Sequence, residues 1–439
     1  MVAPPRPRPG RFFPSCRAKT AGRFGAVTPA DFIDRHADVL VHRLQRMVRI
    51  PTINPPGDRY DEQTGWLAQE LSRLGLQTRR YRIPASLLRR TLPEDQPRHP
   101  RFNVLGRWRV RGARRTLHFN AHYDVVPVSG AWRHGSPFSG EVDGGWIYGR
   151  GTADMKGSIA SLLLALEAVR ASGQAPRMNI EVSFTADEET DSALGAGWLV
   201  AHAPIAPDYA VVMEGGYGRH VCCGHHGTLW LEVRVHGRAA HGSRPEAGSN
   251  ALEKMAALVA AFAPYKARLA RRVWRTPSGA PLRPTVNLGG VFHCGQGAKI
   301  NTVPAFASFS IDRRVIPAES HAAAERELRA FITAAARRIP DCRVTVHKTS
   351  ENFACFSPPK DPFFAAMAAC VGEVRGERAD FNVSTGFNDM HFFSHHLKIP
   401  TLGYGPGGEN EHGVDERARL KELLASARIY AQLMTTFHG

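Results

Sequence analysis

Three adjacent carboxylates follow an apolar run in "FTADEETDS", residues 184–192. Asp187, Glu188 and Glu189 come directly after "NIEVSFTA", which has the composition of a buried strand. Like charges repel, and a carboxylate near a core is costly unless a cation lies beside it. The run therefore predicts either a solvated acidic loop or a site in which metal ions supply the positive charge.

Further metal-competent side chains follow other apolar segments of the chain. In sequence order these are His122 after "TLHFNA", Asp154 within "YGRGTADMKG", Glu214 after "YAVVM" and His412 after "IPTLGYGPGGENE". Any one of them alone is better explained as a cap, a turn or a satisfied histidine. In open α/β sheets, however, ligands bind at the carboxyl ends of strands, so we expect these groups to converge. That shared position favours the metal site over the acidic loop.

The types of these residues indicate which metals could bind. Two imidazoles with carboxylates and no thiolate suit Zn²⁺, Co²⁺ or Mn²⁺. Two metal ions that share one bridging carboxylate would each keep a nitrogen ligand and leave room for a bridging water. One Glu of the acidic run would be a ligand and its neighbour a base. Asp124, two residues after His122 on a strand, would point the same way and could hold the other ring nitrogen.

An α/β layer must position these groups. Strand-like runs alternate with helical ones from "TLHFNA" to "YAVVME", which predicts a largely parallel sheet. Near residue 221 the order changes to strand, helix, strand, strand, helix, which predicts an inserted α+β domain over 221–336. We therefore expect catalytic parts over 28–220 and 337–439, and a disordered Pro/Arg-rich tail over 1–27.

Composition excludes several classes of protein. The chain has 439 residues, 43% of them hydrophobic, and a net charge of +17. Its basic residues concentrate in the tail and in residues 79–115 without regular aromatic interleaving, which favours a solvated surface over nucleic-acid binding. We expect no membrane-spanning segment and no secretory leader. Seven scattered cysteines without a CxxC pair favour a reducing compartment, the cytoplasm.

From about residue 30 onward the chain resembles the M20 metallopeptidase family, which includes acetylornithine deacetylases, succinyl-diaminopimelate desuccinylases and aminoacylases. The motifs that carry the resemblance are "HYDVVP", "PFSGEVDGGWIYGRGTADMKG", "FTADEE", "VVMEGG", "GRAAHGSRPEAGSNA", "NTVPAFASFSIDRRVIP" and "EHGVDE". The resemblance implies an α/β fold of two domains. One is a zinc-peptidase-like α/β/α catalytic domain with a mainly parallel sheet, and the other is an inserted ferredoxin-like α+β lid.

The resemblance also implies a role for each matching residue of the metal site. It implies two divalent metal ions per chain, Zn²⁺ before Co²⁺. The implied ligands are His122 and Glu214 for one ion, Glu189 and His412 for the other, and Asp154 as the bridge. Glu188 would be the general base, and Asp124 would orient His122. The peptide bond between Asp154 and Met155 is expected to be cis.

Substrate contacts are implied for the lid and for one loop of the catalytic domain. His241 resembles a lid histidine that reaches the partner subunit's active site and helps to hold the oxyanion. Asn301 and Arg314 resemble contacts to a substrate carboxylate, with Arg313 as the alternative to Arg314. Asp389 lies in "STGFNDMHFF", a substrate-loop pattern that departs from the family's in its flanking residues. His391, His395 and His396 we interpret as loop or helix-surface residues, not ligands.

The resemblance predicts a homodimeric, metal-dependent amidohydrolase that dimerises through the lid. We expect it to remove the acyl group from an N-acylated amino acid, in the manner of an acetylornithine deacetylase or a succinyl-diaminopimelate desuccinylase. A dipeptidase or carboxypeptidase is the nearest alternative, and a formyl-aminopyrimidine deformylase is another. A non-catalytic, anion-binding scaffold is the remote alternative, because such a protein would be expected to have lost a ligand or the base.

Overall fold

The computed structural model describes residues 27–92, 99–295 and 299–439. The predicted tail over 1–27 lies outside these residues except for Val27. The first helix, Pro29–Arg35, begins after Thr28, which forms a capping box with Asp31. None of the described helices combines the length and the apolar character that crossing a bilayer requires.

A nine-stranded sheet forms the centre of the larger part of the chain. Its strands lie in the order Gln77–Arg82, Phe102–Trp108, Asn179–Thr185, Thr116–His122, Tyr209–Val212, Thr401–Gly403, His220–His225 and Cys355–Phe356, with Asp380–Ser384 also paired to His220–His225. The four central strands, from Asn179–Thr185 to Thr401–Gly403, are parallel. Antiparallel pairs extend the sheet on both sides.

Helices cover both faces of this sheet. One face carries a large apolar core, to which Leu163 and Tyr430 contribute. The helices of this part are Pro29–Arg35, Ala37–Val48, Tyr60–Arg73, Ala85–Thr91, Lys156–Ala171, Ala196–His202, Pro362–Arg375 and Leu420–Thr436. Helix Ala196–His202 and the segment Phe392–His396 form a smaller core with Val212 on the other side. The predicted α/β/α arrangement with a parallel centre is therefore confirmed.

A second sheet of four antiparallel strands forms the inserted domain. Its strands lie in the order Thr285–His293, Phe306–Val315, Gly227–His236 and Arg343–Asn352, with helices Ala251–Ala260, Ala263–Ala270 and His321–Ala336. Along Gly227–His236, buried residues such as Leu229 and Leu231 alternate with partly exposed ones such as Trp230. One face of the sheet therefore packs on the helices and the other stays open. The order βαββαβ is that of a ferredoxin-like fold.

The hydrogen bonding of two strands differs from the domain limits expected at 221 and 336. Strand His220–His225 belongs to the large sheet, where it pairs with Thr401–Gly403 and Asp380–Ser384. Strand Arg343–Asn352 belongs to the inserted sheet, where it pairs with Gly227–His236. The sequence pattern failed here because a strand's alternation indicates which face is buried and not which sheet it joins.

Several short elements complete the described structure. A three-stranded sheet joins Val142–Asp143, Trp146–Tyr148 and Arg417–Arg419. Two-stranded ladders pair Ala240–His241 with Thr302–Val303, and Trp274–Arg275 with Pro281–Leu282. Short helical turns cover Glu188–Thr190 and Pro245–Ala247.

Candidate metal centre

One group of possible metal ligands lies where two neighbouring parallel strands end. His122 is the last residue of Thr116–His122, and Glu214 follows Tyr209–Val212, its neighbour in the sheet. The Nε2 atom of His122 lies 3.0 Å from Oδ1 of Asp154 and 4.0 Å from Oε2 of Glu214. These three side chains can offer one ligand atom each to a single ion.

A second group shares Asp154 with the first. Oδ2 of Asp154 lies 3.2 Å from Nε2 of His412, and Oε2 of Glu189 lies 3.1 Å from the same nitrogen. Within this group too, the ligand atoms lie within 4.8 Å of one another. The two oxygens of Asp154 thus face different histidines, which is the arrangement of a bridging carboxylate.

The residues present fit a pair of divalent metal ions. Each group offers one imidazole nitrogen and two carboxylate oxygens, a donor set that zinc and similar metals accept. Oε1 of Glu214 is buried and has no hydrogen-bond partner among the described residues. A buried carboxylate oxygen without a donor is costly, and a metal ion would satisfy it.

Glu416 holds the loop that carries Asp154 through hydrogen bonds to the backbone of the loop. Oε1 of Glu416 accepts hydrogen bonds from the backbone nitrogens of Gly151, Ala153 and Asp154 at 2.9, 3.0 and 3.2 Å. Its Oε2 pairs with the buried guanidinium of Arg150 at 2.5 Å. The peptide bond between Asp154 and Met155 is cis, as predicted. Glu416 lies within the "EHGVDE" motif, but its role was not foreseen because its partners are backbone groups about 260 residues away in the sequence.

Glu188 stands beside the two groups without belonging to either. Its Oε2 lies 4.0 Å from Nε2 of His122, and it is the first residue of the turn Glu188–Thr190. Burial and the neighbouring Glu214 raise the pKa of Glu188 well above its ordinary value. A carboxylate that is near the ligands but not among them has the geometry of a general base for a water held between metal ions.

Asp124 holds the acidic run in place. Its two carboxylate oxygens accept hydrogen bonds from the backbone nitrogens of Glu188 and Glu189, both at 3.2 Å. Asn54 donates a third hydrogen bond, from Nδ2 at 3.0 Å. The imidazole Nδ1 of His122 lies 3.1 Å from the backbone oxygen of Asp124 and 3.5 Å from its Oδ1. Asp124 therefore contacts His122 as expected and also orients two residues that the sequence did not connect to it.

The first carboxylate of the acidic run has a protein cation as its partner. Asp187 is buried and pairs with the Nε atom of Arg101 at 2.9 Å. Tyr60 and Asn54 also donate hydrogen bonds to Asp187, at 3.0 and 3.1 Å. The sequence missed this pair because Arg101 lies 86 residues earlier in an Arg-rich segment, where one buried guanidinium cannot be told from solvated ones.

The charges of the ligand cluster are strongly coupled. Burial and the neighbouring Asp154 raise the pKa of Glu189 to about 7. Hydrogen bonds that His412 donates to the carboxylates of Asp154 and Glu189 raise the pKa of His412 to about 10. Burial also raises the pKa of Glu214 well above its ordinary value. Without a metal ion, Glu189 is therefore partly protonated near pH 7 and His412 is protonated, and a bound cation would displace these protons.

The lid residues predicted to contact substrate lie on exposed parts of the inserted domain. His241 is exposed on Ala240–His241, and its Nδ1 lies 2.8 Å from Oγ of Ser243. The backbone oxygen of Asn301 accepts a hydrogen bond from Gly242 at 2.7 Å, so these two loops are adjacent. Neither belongs to the ligand groups of the same chain.

Arg313 and Arg314 face opposite sides of the inserted sheet. Arg313 is fully buried and pairs with Glu319 at 2.8 Å on the side of the helices. Arg314 lies on the open face, where it pairs with Asp312 at 3.0 Å. Of the two alternatives, only Arg314 is therefore available to a substrate.

Asp389 is enclosed by protein. It is buried and accepts hydrogen bonds from Ser192 and, at 3.3 Å, from Thr185. Burial raises its pKa to about 6. The structure thus connects Asp389 to the turn that carries the acidic run and does not bring it to the open side of the site.

The histidines after Asp389 are not among the ligand groups. His391 is buried, and its Nδ1 lies 2.8 Å from the backbone oxygen of Asn388. It is therefore not a surface residue, in contrast to the prediction. Its ring packs against that of His225, which the sequence pattern could not indicate. His395 and His396 are exposed, as predicted.

Comparisons with known proteins identify the family of the chain. Residues 118–436 match the family model described as Peptidase family M20/M25/M40. A succinyl-diaminopimelate desuccinylase of Paracoccus denitrificans (strain Pd 1222) is 29% identical over 346 residues, which cover 76% of this chain and 86% of that protein.

Solved structures show the same fold. An M20 family metallo-carboxypeptidase from Sulfolobus solfataricus, Sso-CP2, aligns with a TM-score of 0.72 at 18% identity, over 90% of this chain and 98% of that one. The Bacillus subtilis YXEP protein, described as a dinuclear metal binding peptidase from the M20 family, aligns with a TM-score of 0.64 at 14% identity, over 92% and 98% of the two chains. Since the family match spans well over half of the sequence and includes every candidate ligand, the chain belongs to peptidase family M20/M25/M40.

Proposed function

We propose that this metal-dependent amide hydrolase removes the acyl group from an N-acylated amino acid. The observation that carries the proposal is the pair of ligand groups that share Asp154, with the unligated carboxylate of Glu188 beside them. The relatives that are named succinyl-diaminopimelate desuccinylases support the class of substrate.

The proposed cofactor is a pair of divalent metal ions. His122 and Glu214 would hold one ion, Glu189 and His412 the other, and Asp154 both. Zn²⁺ suits this nitrogen and carboxylate set best, and Co²⁺ is the second choice. The description of the Bacillus subtilis neighbour as dinuclear supports two ions instead of one.

Bound metal ions would supply an acidified water and polarise the amide carbonyl. Glu188 takes the proton from the attacking water and delivers it to the leaving nitrogen, which requires a carboxylate within reach of both. Asp124 keeps Glu188 in position through its backbone nitrogen. His241 of the partner subunit donates to the developing oxyanion.

The lid binds the substrate and joins two copies of the chain. We propose that Arg314 and Asn301 hold the substrate carboxylate, and that Asp389 supports the binding loop from within. Two large apolar side chains of the inserted domain, Phe292 and Ile300, are exposed to solvent. Exposed apolar side chains of this size favour the lid as the dimer interface. A homodimer also gives the exposed His241 a site to reach.

The cytoplasm is the proposed compartment. The six cysteines among the described residues are all free, and four of them are buried. Buried thiols without disulfides are typical of proteins from reducing compartments.

The alternatives differ in what the amine and acyl sides carry. The substrate of a dipeptidase carries a free amino group on the acyl side, and that of a carboxypeptidase continues there as a peptide. A formyl-aminopyrimidine deformylase would act on a substrate without a carboxylate. A non-catalytic, anion-binding scaffold would have no use for Glu188 beside a complete set of ligands.

The test is hydrolysis by protein reconstituted with zinc or cobalt. The panel comprises N-acetylornithine, N-succinyl-diaminopimelate, other N-acyl amino acids, dipeptides and a formyl-aminopyrimidine. We expect turnover of at least one N-acyl amino acid, and turnover lower by about 10²–10⁴-fold in the Glu188→Gln variant. Turnover of dipeptides alone, or of the pyrimidine alone, would replace the proposal by the corresponding alternative.

A further inference from the structure

A cavity of about 260 Å³ opens beside the first ligand group. Its lining includes Asp154, Glu214, Glu411, Tyr217, Phe387 and Asn388. None of the described residues that line it is a lysine, an arginine or a histidine. A substituent next to the scissile bond would enter here, since the cavity begins at the ligands themselves.

Phe387 connects this cavity to the open face of the lid. Its ring meets that of Trp230 edge to face, with centroids 6.2 Å apart and planes at 84°. The indole Nε1 of Trp230 donates to Oδ1 of Asp312 at 3.1 Å, which holds the ring in place. Arg314, on the same strand and face as Asp312, already pairs with that carboxylate. Asp312 therefore partly offsets the charge of Arg314, which the proposed function assigns to the carboxylate of the amino acid and not to the acyl group.

Asn388 forms a neutral part of the wall. Its Oδ1 accepts a hydrogen bond from the backbone nitrogen of Met390 at 3.0 Å. Its Nδ2 would lie only 2.8 Å from a Cβ atom on Gly215, whose φ of +79° also favours glycine. The amide of Asn388 thus packs closely over the backbone that follows Glu214. Together with Tyr217 and Phe387 it gives the cavity an aromatic and amide lining.

We propose that this cavity receives the acyl group of the substrate and selects acyl groups without a negative charge. The inference rests on the proposed deacylase function and narrows its substrate class to small neutral acyl groups, such as acetyl or formyl. The carboxylate at the end of a succinyl group would lose hydration, would face Glu411 and would find no lysine, arginine or histidine among the described residues of the wall. In this respect the chain would differ from its relatives named desuccinylases.

Binding of hydroxamates to the metal-loaded protein tests the inference without turnover. Butanohydroxamic acid and the monohydroxamate of succinamide carry neutral tails, and the monohydroxamate of succinic acid carries a charged tail of similar length. In titration calorimetry, we expect both neutral compounds to bind at least about tenfold more tightly than the charged compound. A tenfold difference in affinity corresponds to roughly one unfavourable charge contact. Equal or tighter binding of the charged compound would overturn the inference.

Two variants link the preference to this cavity. Phe387→Arg supplies a cation at the wall and should reduce the preference for neutral tails by about tenfold or reverse it. Phe387→Leu, the matched control, removes the ring without adding charge and should keep the preference. An unchanged preference in a folded, metal-loaded Phe387→Arg protein would contradict the assignment. If Phe387→Arg does not fold, the affinities of the wild-type protein for the neutral and charged hydroxamates still test the inference.

Turnover of paired substrates separates this inference from the proposed function. The N-acetyl and N-succinyl derivatives of one amino acid are compared by kcat/KM. Preferred hydrolysis of the succinyl derivative would refute the proposed selection of uncharged acyl groups and leave the deacylase function intact. Absence of hydrolysis of any amide would refute the deacylase function, and the hydroxamate comparison would still report on the cavity.

Discussion

One carboxylate oxygen of Asp124 accepts a hydrogen bond from the backbone nitrogen of Glu188 at 3.2 Å. The other oxygen accepts a hydrogen bond from the backbone nitrogen of Glu189. Asp124 and Glu188 are both buried. The proposed base and a proposed metal ligand are therefore positioned by one carboxylate, which is buried from solvent. This contact explains how a run of like charges is kept in a single conformation at the end of a buried strand.

Replacement of Asp124 tests that positioning role. Asp124→Ala leaves two buried backbone N–H groups unpaired, so we expect the free energy of unfolding to fall by about 2–4 kcal/mol. We also expect kcat/KM to fall by at least about 100-fold, because the base loses its position. Urea unfolding and steady-state kinetics measure the two effects. The exposed Asp143 offers the control Asp143→Ala, and wild-type behaviour of both variants would exclude the role.

Replacement of Glu188 tests the proposed base. Glu188→Gln removes proton transfer and leaves the ligand groups intact, so we expect metal content to stay at the wild-type level. Turnover should fall by about 10²–10⁴-fold, the usual contribution of a general base. Elemental analysis and kinetics are compared with Glu377→Gln, a change at an exposed position. Activity close to wild type would show that another group accepts the proton.

Glu416 is predicted to control both metal sites because it holds the loop that carries Asp154. Glu416→Gln removes the negative charge that pairs with Arg150. It also leaves only one side-chain oxygen to accept hydrogen bonds from the backbone of the loop and from Arg150. We expect the affinity for both metal ions to fall by about 10–100-fold, as for other residues that orient ligands. Competition with a zinc chelator measures each affinity. A loss confined to one of the two sites would contradict the shared role of the loop.

Metal binding is predicted to release protons. The pKa of Glu189 is raised to about 7 and that of His412 to about 10 in the metal-free protein. Near pH 7 His412 is protonated and Glu189 is partly protonated, and a metal ion must displace these protons, so affinity should rise as pH increases from 6 to 8. Calorimetry in buffers of different ionisation enthalpy measures the protons released. Affinity that is independent of pH, with no proton release, would contradict the assignment of these two ligands.

The sequence predicted the parts of the site that depend on sheet geometry. His122 ends one strand and Glu214 follows another, these two strands are neighbours, and parallel strands bring their carboxyl ends to one edge. The contacts of Asp124 to backbone nitrogens were not predictable, because they depend on the path of the turn after Asp187. The pairing of Asp187 with Arg101 was equally hidden among many arginines.

The two misplaced domain limits have a similar origin. The strands at 220–225 and 343–352 have patterns that fit either sheet, and only hydrogen bonding assigns them. Burial of His391 depends on His225, a residue from a distant strand, and no local pattern reports such a contact. Periodicity thus predicts which elements form, and long-range pairing decides where they belong.

The central claim is that Asp154 is shared between two metal ions. Elemental analysis of the wild-type protein and of Asp154→Ala, both after reconstitution with zinc and removal of excess metal, tests it most directly. We predict about two ions per chain in the wild type and nearly none in the variant, because both sites lose a ligand. Two ions retained by Asp154→Ala, or none bound by the wild type, would contradict the claim.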